Sequence, residues 1–135
     1  MSVFIDTGVF VAARNVRDIN HKRAVELLEK AIRGEYGEIF TSDYVFGEAV
    51  TVALVRTGRP NMAVRTGQLI LAMPGIRMVF VDEELFKDAW ARFTRLAAKG
   101  LSFTDCATLA VMDRYEIDYL LSFDKGFDGL VRRIC

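Results

Sequence analysis

The sequence predicts an α/β fold in which a central, mostly parallel sheet of about five strands is covered by helices on both faces. Two observations predict it. Short apolar runs alternate along the chain with segments of helical periodicity. Those runs are apolar at consecutive positions rather than at every second one, as expected for strands that are buried on both faces.

The amino-terminal half shows this alternation most clearly. The second helical segment carries its apolar residues on one side and its charges on the other, and Gly34 ends it. Ser42 or Asp43 can cap the third helix. In order, the expected elements are a strand at 3–6, a helix at 9–14, a helix at 21–33, a strand at 39–41 and a helix from about 43 to 56.

In the carboxy-terminal half, turn and cap residues separate the elements. Pro60 and Pro74 each stand between periodic segments and mark turns. Asp82 is expected to cap one helix, and Gly100 to close it. The expected elements are a helix at 62–73, a strand at 76–81, helices at 83–99 and 104–115, a strand at 119–123, a helical turn at 125–130 and a strand at 131–134.

Length and composition predict one domain spanning residues 1–135 with a real core. The chain is 52% hydrophobic and 27% charged, which is ordinary for a globular protein. Its 18 basic and 18 acidic residues cancel, so the net charge gives no indication of nucleic-acid binding. The start of the chain has no secretory pattern, and no apolar run reaches membrane-spanning length, so a cytoplasmic location is expected.

Four acidic residues stand on elements that otherwise look buried. Asp6 ends the first strand, Asp124 follows the apolar run 119–123, Glu48 lies in an almost uncharged helix, and Asp105 lies near a helix start. Because ligand sites of parallel sheets lie beyond the carboxyl ends of the strands, these acids can converge there. Four carboxylates tolerate one another only if they are protonated, paired or neutralised by a metal. The pattern therefore predicts a metal-dependent active site.

Each acid also has a structural explanation. Asp6, Asp105 and Asp124 could be helix or turn caps, and Ser102 with Asp105 matches a capping box. Glu48 could face solvent. Asp82 provides a comparison, since it ends an apolar strand but is followed by two acids in a first helical turn, which indicates a cap.

The available donor chemistry narrows the metal and the mechanism. Hard divalent cations with oxygen ligands suit phosphodiester hydrolysis, because they activate water and stabilise the leaving oxygen. The two cysteines, Cys106 and Cys135, lack metal-ligand spacing, and Cys106 is expected to be a small buried apolar residue. A single histidine, His21, argues against zinc and against a histidine-based ribonuclease mechanism.

These motifs together resemble the PIN domain, and most closely the small PIN ribonucleases of the VapC toxin type. The resemblance covers essentially the whole chain. It is carried by four segments that contain the acids: residues 4–7, 41–48, 101–110 and 121–127. Ser102 and Thr104 precede the third acid, and Phe123 and Phe127 flank the fourth.

The resemblance implies a function and a set of site residues. It implies Mg²⁺ or Mn²⁺ bound by acids, and hydrolysis of single-stranded or loop RNA. Asp6, Glu48 and Asp105 would be the central acids and Asp124 a fourth. It also implies a homodimer and a small antitoxin protein as partner. No membrane partner is expected, since no apolar run reaches membrane-spanning length. The polar residues expected to support the acids are Thr7, Ser102 and Thr104.

Other functions remain open at this point. The chain could be a PIN-like module that binds RNA or protein without cleaving it, or a PIN nuclease of RNA processing that has no antitoxin. A phospho-acceptor role for Asp82 would require an acidic pair after the first strand, where Asp6 is followed by Thr7. Candidate phosphate contacts, each of which could equally be a solvated helix end, are Arg14, Arg17, Arg56 and Arg59.

Overall fold

Five strands form one parallel sheet in the computed structural model, which describes residues 1–135. The strands are β1 (Ser2–Ile5), β2 (Glu38–Ser42), β3 (Ile76–Val79), β4 (Tyr119–Leu121) and β5 (Arg132–Ile134). Their order is β3-β2-β1-β4-β5, and every neighbouring pair is parallel. The predicted fold class is confirmed, with a sheet that is entirely parallel.

Six helices cover the sheet. They are α1 (Thr7–Arg14), α2 (His21–Ile32), α3 (Asp43–Thr57), α4 (Pro60–Ala72), α5 (Glu83–Leu96) and α6 (Phe103–Arg114). Helix α1 packs on α2, α3 and α4, whereas α5 packs on α6. Because parallel crossovers are right-handed, the chain runs outward from β1 to β3 with α1–α4 on one face and returns with α5 and α6 on the other. The result is three layers.

The centre of the sheet is also where its strand order reverses. Val3, Phe4 and Ile5 of β1 are completely buried, because neighbouring strands and both helical layers surround them. The connections leave β1 towards β2 on one side and later return to β4 on the other. Such a switch point opens a crevice at the carboxyl ends of the two strands, which is the usual ligand site of open α/β sheets.

Helix starts differ from the sequence-based bounds where a cap or a proline takes effect. Helix α1 begins two residues before the predicted position, because the Asp6 carboxylate accepts a hydrogen bond from the Thr7 amide. Helix α4 begins at Pro60, since proline has a suitable φ and lacks only an amide that would be unpaired there. Asp82 caps α5 by accepting from the Leu85 amide, as predicted.

The core is apolar and continuous through all three layers. Cys106 is fully buried within it, which confirms the expectation of a small apolar side chain, whereas Cys135 is exposed. None of the helices combines the length and apolar character needed to cross a membrane.

Candidate active site

A cavity of about 390 Å³ opens at the carboxyl edge of the sheet and contains all four predicted acids. Asp6 reaches it from the end of β1, Glu48 from α3, Asp105 from the first turn of α6 and Asp124 from the segment after β4. The other lining residues are Thr7, Gly8, Val11, Asp18, Asn20, Val52, Arg56, Ser102 and Phe123.

Asp6 is the most deeply placed of the acids, with 7% of its surface exposed. Its Oδ1 accepts a hydrogen bond from the Thr7 amide at 2.9 Å, and its Oδ2 accepts from the Ser122 hydroxyl at 2.7 Å. The pKa of Asp6 is raised to about 6, mainly by burial. The nearby Asp105 and Glu48 carboxylates also raise this pKa, whereas the two hydrogen bonds lower it. Ionisation of Asp6 therefore costs free energy, and the two hydrogen bonds fix the orientation of its carboxylate.

Ser122 connects two of the acids and was not singled out from the sequence. It is fully buried, donates to Asp6 Oδ2 and accepts a hydrogen bond from the Asp124 amide at 3.0 Å. The available signal was a serine inside an apolar strand run, since a buried hydroxyl requires partners. The structure supplies those partners, and one of them, Asp6, is 116 residues away from Ser122 in the chain.

Asp105 and Ser102 form the capping box that the sequence predicted. The Asp105 amide donates to the Ser102 hydroxyl at 3.0 Å, and Asp105 Oδ2 accepts from the Ser102 amide at 2.9 Å. Burial raises the pKa of Asp105, and the carboxylates of Asp124 and Glu48 raise it further. Capping and the predicted ligand role are therefore compatible, because the box holds one carboxylate oxygen and leaves the other available.

Glu48 and Asp124 have fewer protein contacts. Glu48 is half-buried and makes no hydrogen bond or ion pair with the protein. Asp124 is exposed, and its Oδ1 accepts from the Gly126 amide at 2.8 Å, so the alternative explanation as a turn cap also applies to it. These side chains keep carboxylate oxygens free for a ligand in the cavity.

The predicted supporting hydroxyls differ in where they lie. Thr7 lines the cavity, and its Oγ1 is buried without a hydrogen-bond partner. Ser102 also lines the cavity. Thr104 is half-buried, makes no side-chain hydrogen bond and does not line the cavity, so the structure does not bring it to the acids. An orphaned hydroxyl such as that of Thr7 is costly unless a ligand or water occupies the site.

The cavity is strongly negative. Besides the four acids it contains Asp18, and Arg56 is the one cationic residue in its lining. None of the five acids takes part in an ion pair. Asp18 and Asn20 were missed from the sequence, because nothing in it shows the loop after α1 folding over β1.

The other candidate phosphate contacts and the single histidine lie outside this cavity. Arg14, Arg17 and Arg59 are absent from its lining. His21 begins α2, and its Nδ1 lies 2.8 Å from the Ala12 carbonyl oxygen near the end of α1, which is a structural contact. This agrees with leaving the histidine out of the chemistry.

The donor set fits a hard divalent cation. All candidate ligands are oxygens of carboxylates or hydroxyls, as Mg²⁺ and Mn²⁺ prefer, and no thiol or imidazole is among them. The side chains do not form a ready-made ligand group, since no three His, Cys, Asp or Glu residues are arranged to hold an ion as they stand. Carboxylates without a cation repel one another, so binding requires the side chains to rearrange.

A larger cavity, of about 810 Å³, lies elsewhere, between α5, α6 and the start of β5. Its acids include Asp113, which is ion-paired with Arg92 at 3.1 Å, and Asp118, which lies 3.8 Å from the amino terminus. The two carboxylates whose pKa is raised, Asp6 and Asp105, are both in the smaller cavity. Perturbed acids mark functional sites more specifically than volume does.

Without divalent cations, the Asp6→Asn variant is expected to be more stable than the wild type at pH 8. The raised pKa means that the fold favours protonated Asp6, so its charge costs about 3 kcal/mol above pH 6, and this cost falls as the pH drops from about 6 towards 3.8. The advantage of the variant should therefore fade over that range. Urea denaturation in chelator at pH 8, 6 and 4.5 measures it.

Asp82→Asn is a control for that experiment, because the opposite change in stability is expected for it. A hydrogen bond from Arg114 lowers the pKa of Asp82, so the stability it contributes is present at neutral pH and is lost as the pH falls. This variant should be less stable than the wild type at pH 8. If the Asp6→Asn difference were constant from pH 8 to 4.5, the assignment of a buried, charged Asp6 would be wrong.

Comparisons with known proteins agree with this geometry. Residues 3–132 match the PIN domain family. A VapC ribonuclease of Archaeoglobus fulgidus is 25% identical over 94% of this chain and 80% of its own length. The 23S rRNA-specific endonuclease VapC20 of Mycobacterium tuberculosis is 29% identical over 94% of this chain and 92% of its own.

Solved structures give the same result for the fold. The crystal structure of M. tuberculosis VapC20, described as a sarcin-ricin loop cleaving toxin, covers 94% of this chain and 93% of its own with a TM-score of 0.81 and 28% identity. VapBC2 of Rickettsia felis, solved with a promoter DNA fragment, covers 99% and 98% at a TM-score of 0.67 and 15% identity, which supports the fold alone. The parallel sheet, its acidic crevice and the match over residues 3–132 show that this chain belongs to the PIN domain family.

Proposed function

We propose that this protein is a divalent-metal-dependent endoribonuclease that hydrolyses RNA phosphodiester bonds. The observation that carries the proposal is the convergence of four acids without ion-pair partners, two of them with raised pKa, in one crevice of a PIN fold. Relatives named as VapC ribonuclease and as a 23S rRNA-specific endonuclease support the same reaction class. Membership of a nuclease family supports divalent-metal dependence in general, and Mg²⁺ or Mn²⁺ is the specific proposal.

The residues proposed to hold the cation are Asp6, Glu48, Asp105 and Asp124. A bound divalent cation supplies activation of water and stabilisation of the oxygen that leaves phosphorus. Ser122 would keep Asp6 and the backbone of Asp124 in place through its two hydrogen bonds. Hydrogen bonds of this kind orient metal ligands, and the loss of one typically lowers metal affinity or activity about 10- to 100-fold.

Two further residues have proposed roles towards substrate and water. The Thr7 hydroxyl, which has no partner in the protein, would bind water or a phosphate oxygen at the cavity wall. Arg56 is exposed at the opening of the cavity and would contact the RNA backbone. Arg56 suits this contact because its guanidinium is the one positively charged side chain of the cavity, and a phosphate needs a positive partner among five carboxylates.

A biological role as the toxin of a type II toxin–antitoxin pair is the second part of the proposal. It is supported by similarity to VapC20, described as a toxin, and by a fold shared with the VapBC2 assembly. A basic side chain of an antitoxin would complement the negative cavity. One domain over residues 1–135, a homodimer and a cytoplasmic location stay predictions, and the candidate for a first substrate is the sarcin-ricin loop of 23S rRNA, the target of VapC20.

Two alternatives within the family have weaker support. A binding module that does not cleave RNA has no need of buried carboxylates without ion-pair partners, whereas a bound cation offsets their cost. A PIN nuclease of RNA processing without an antitoxin would have the same site, so the presence or absence of an antitoxin gene beside this one distinguishes it from the toxin.

The reaction is tested by incubating purified protein with a panel of structured and unstructured RNAs, including a sarcin-ricin loop oligonucleotide. We expect cleavage with Mg²⁺ or Mn²⁺ and none with EDTA, with activity restored when the cation is added back in excess. Cleavage that persists in EDTA would contradict the metal-dependent mechanism. Binding without cleavage of any RNA in either cation would favour the binding module.

A further inference from the structure

Five aromatic side chains from three helices form a continuous cluster. Phe103 of α6 is at its centre, with ring centroids 6.1 Å from Tyr44, 5.4 Å from Phe86 and 6.0 Å from Phe93. Trp90 stacks on Phe93 with centroids 6.0 Å apart. We call these five residues the aromatic cluster.

The cluster is connected to cavity residues along the chain, although none of its five rings lines the cavity. Phe103 lies in the chain between Ser102 and Asp105, both of which line the cavity. Tyr44 precedes Glu48 by four residues in α3, so the two side chains project from the same face of that helix one turn apart. Phe103 and Tyr44 thus connect the three rings of α5 to the two helices that carry Asp105 and Glu48.

Two of the rings are open to solvent. Phe86 is 49% exposed and Trp90 is 56% exposed. The other three are half-buried and hold the exposed rings in place through the ring contacts above. Large aromatic rings held in fixed positions but left exposed are more typical of binding surfaces than of a core.

The acidic side chains around the exposed rings are held in ion pairs. Each acid in the first half of α5 and at its cap is in an ion pair with a basic side chain, but these four acids share three basic side chains. The pairs are Asp82 and Glu84 with Arg114, Glu83 with Lys87, and Asp88 with Arg92. An RNA strand that leaves the cavity over this face meets rings among paired charges with a slight excess of acid, so base stacking, and not attraction of its phosphates, would hold it there.

We propose that the aromatic cluster is a base-stacking surface for the RNA substrate, with Phe86 and Trp90 as its contact residues. This inference rests on the proposed function, because it places nucleotides that flank the cleaved bond. An RNA whose phosphate lies among the acids has neighbouring nucleotides within reach of the rim, and unpaired bases stack on aromatic faces without sequence preference. The exposed aliphatic residues Leu54, Val55 and Leu71 lie on α3 and α4 and offer no such faces.

Trp90 allows a direct test that does not depend on cleavage, since it is the only tryptophan in the chain. Its fluorescence should be quenched when a single-stranded oligoribonucleotide is titrated into the Asp6→Asn variant in EDTA. An abasic strand of the same length and charge should bind by its phosphates alone and leave the fluorescence nearly unchanged. Equal quenching by both strands, or none by either while anisotropy shows RNA bound, would overturn the proposal.

Substitutions then test the two contact residues. Phe86→Leu and Trp90→Leu keep an apolar side chain but remove the ring, and each should weaken RNA binding and raise KM about tenfold with kcat unchanged. Leu71→Ala, which alters a residue that is 68% exposed on α4, should have no effect on either quantity. Circular dichroism should show all three variants folded.

The outcomes separate this inference from the proposed function. Cleavage that is normal in both leucine variants would overturn the stacking surface and leave the nuclease intact. Absence of RNA binding and of cleavage in the wild-type protein would overturn both. If the leucine variants changed self-association in sedimentation experiments but left KM unaltered, the surface would belong to a second copy of the chain and the proposal would be wrong.

Discussion

Asp6→Asn should reduce RNA cleavage by at least about 10³-fold, equivalent to about 4 kcal/mol of transition-state stabilisation. The amide is nearly the same size as the carboxylate and can bond with the Thr7 amide and the Ser122 hydroxyl, so the local structure should persist. What it loses is the negative charge that a hard cation requires. The rate is measured with saturating Mg²⁺ or Mn²⁺ on the RNA that the wild type cleaves best.

The matched control for this prediction is Asp82→Asn. Asp82 also stands after a strand and caps a helix, but its carboxylate is ion-paired with Arg114 and does not line the cavity. Asparagine caps helices about as well as aspartate, so cleavage should stay near the wild-type rate. Wild-type activity in Asp6→Asn, or an equal loss in both variants, would show that Asp6 has no specific role.

The second large effect separates the two functions of the capping box. Asp105→Asn should lose at least about 10³-fold in cleavage, because the charge towards the cation disappears. Its stability should be equal to or above that of the wild type, since the amide oxygen can still accept a hydrogen bond from the Ser102 amide and burial raises the pKa of the Asp105 carboxyl that is removed. Ser102→Ala should show the reverse pattern, with about 1 kcal/mol less stability from the lost cap and only a 10- to 100-fold lower rate.

Chemical denaturation and steady-state cleavage, measured on the same preparations, give both quantities. Asp105→Asn should lose activity and keep its stability, whereas Ser102→Ala should lose stability and keep more of its activity. If Ser102→Ala destroyed activity as completely as Asp105→Asn, the role of Asp105 would be positional. If Asp105→Asn cleaved RNA normally, the residue would be a helix cap alone.

Much of the fold was predictable because its signals are local. The apolar runs of β1 and β4 and the helical periodicity of α2 determine which segments are strands and helices. Errors lie at the ends, as where Pro60 begins α4 instead of preceding it. Boundaries depend on single caps and hydrogen bonds, which periodicity does not describe.

The acids were predictable for a related reason, whereas their surroundings were not. Asp6 and Asp124 follow parallel strands, and the carboxyl ends of such strands meet at one edge whatever the details of packing. The Ser122 hydroxyl faces Asp6 only because β4 pairs with β1 in one register. Thr104 belongs to the same motif as Ser102 but does not line the cavity.

By itself, the sequence determined an α/β chain of the PIN family with four carboxylates at one sheet edge, since strand periodicity and the position of each acid after its element are properties of neighbouring residues. The tertiary structure decided which contacts those acids make. It placed Arg56 as the single cation of the cavity and joined rings of α3, α5 and α6 into one surface. The physical reason is that these contacts join residues far apart in the chain, and only packing brings them together.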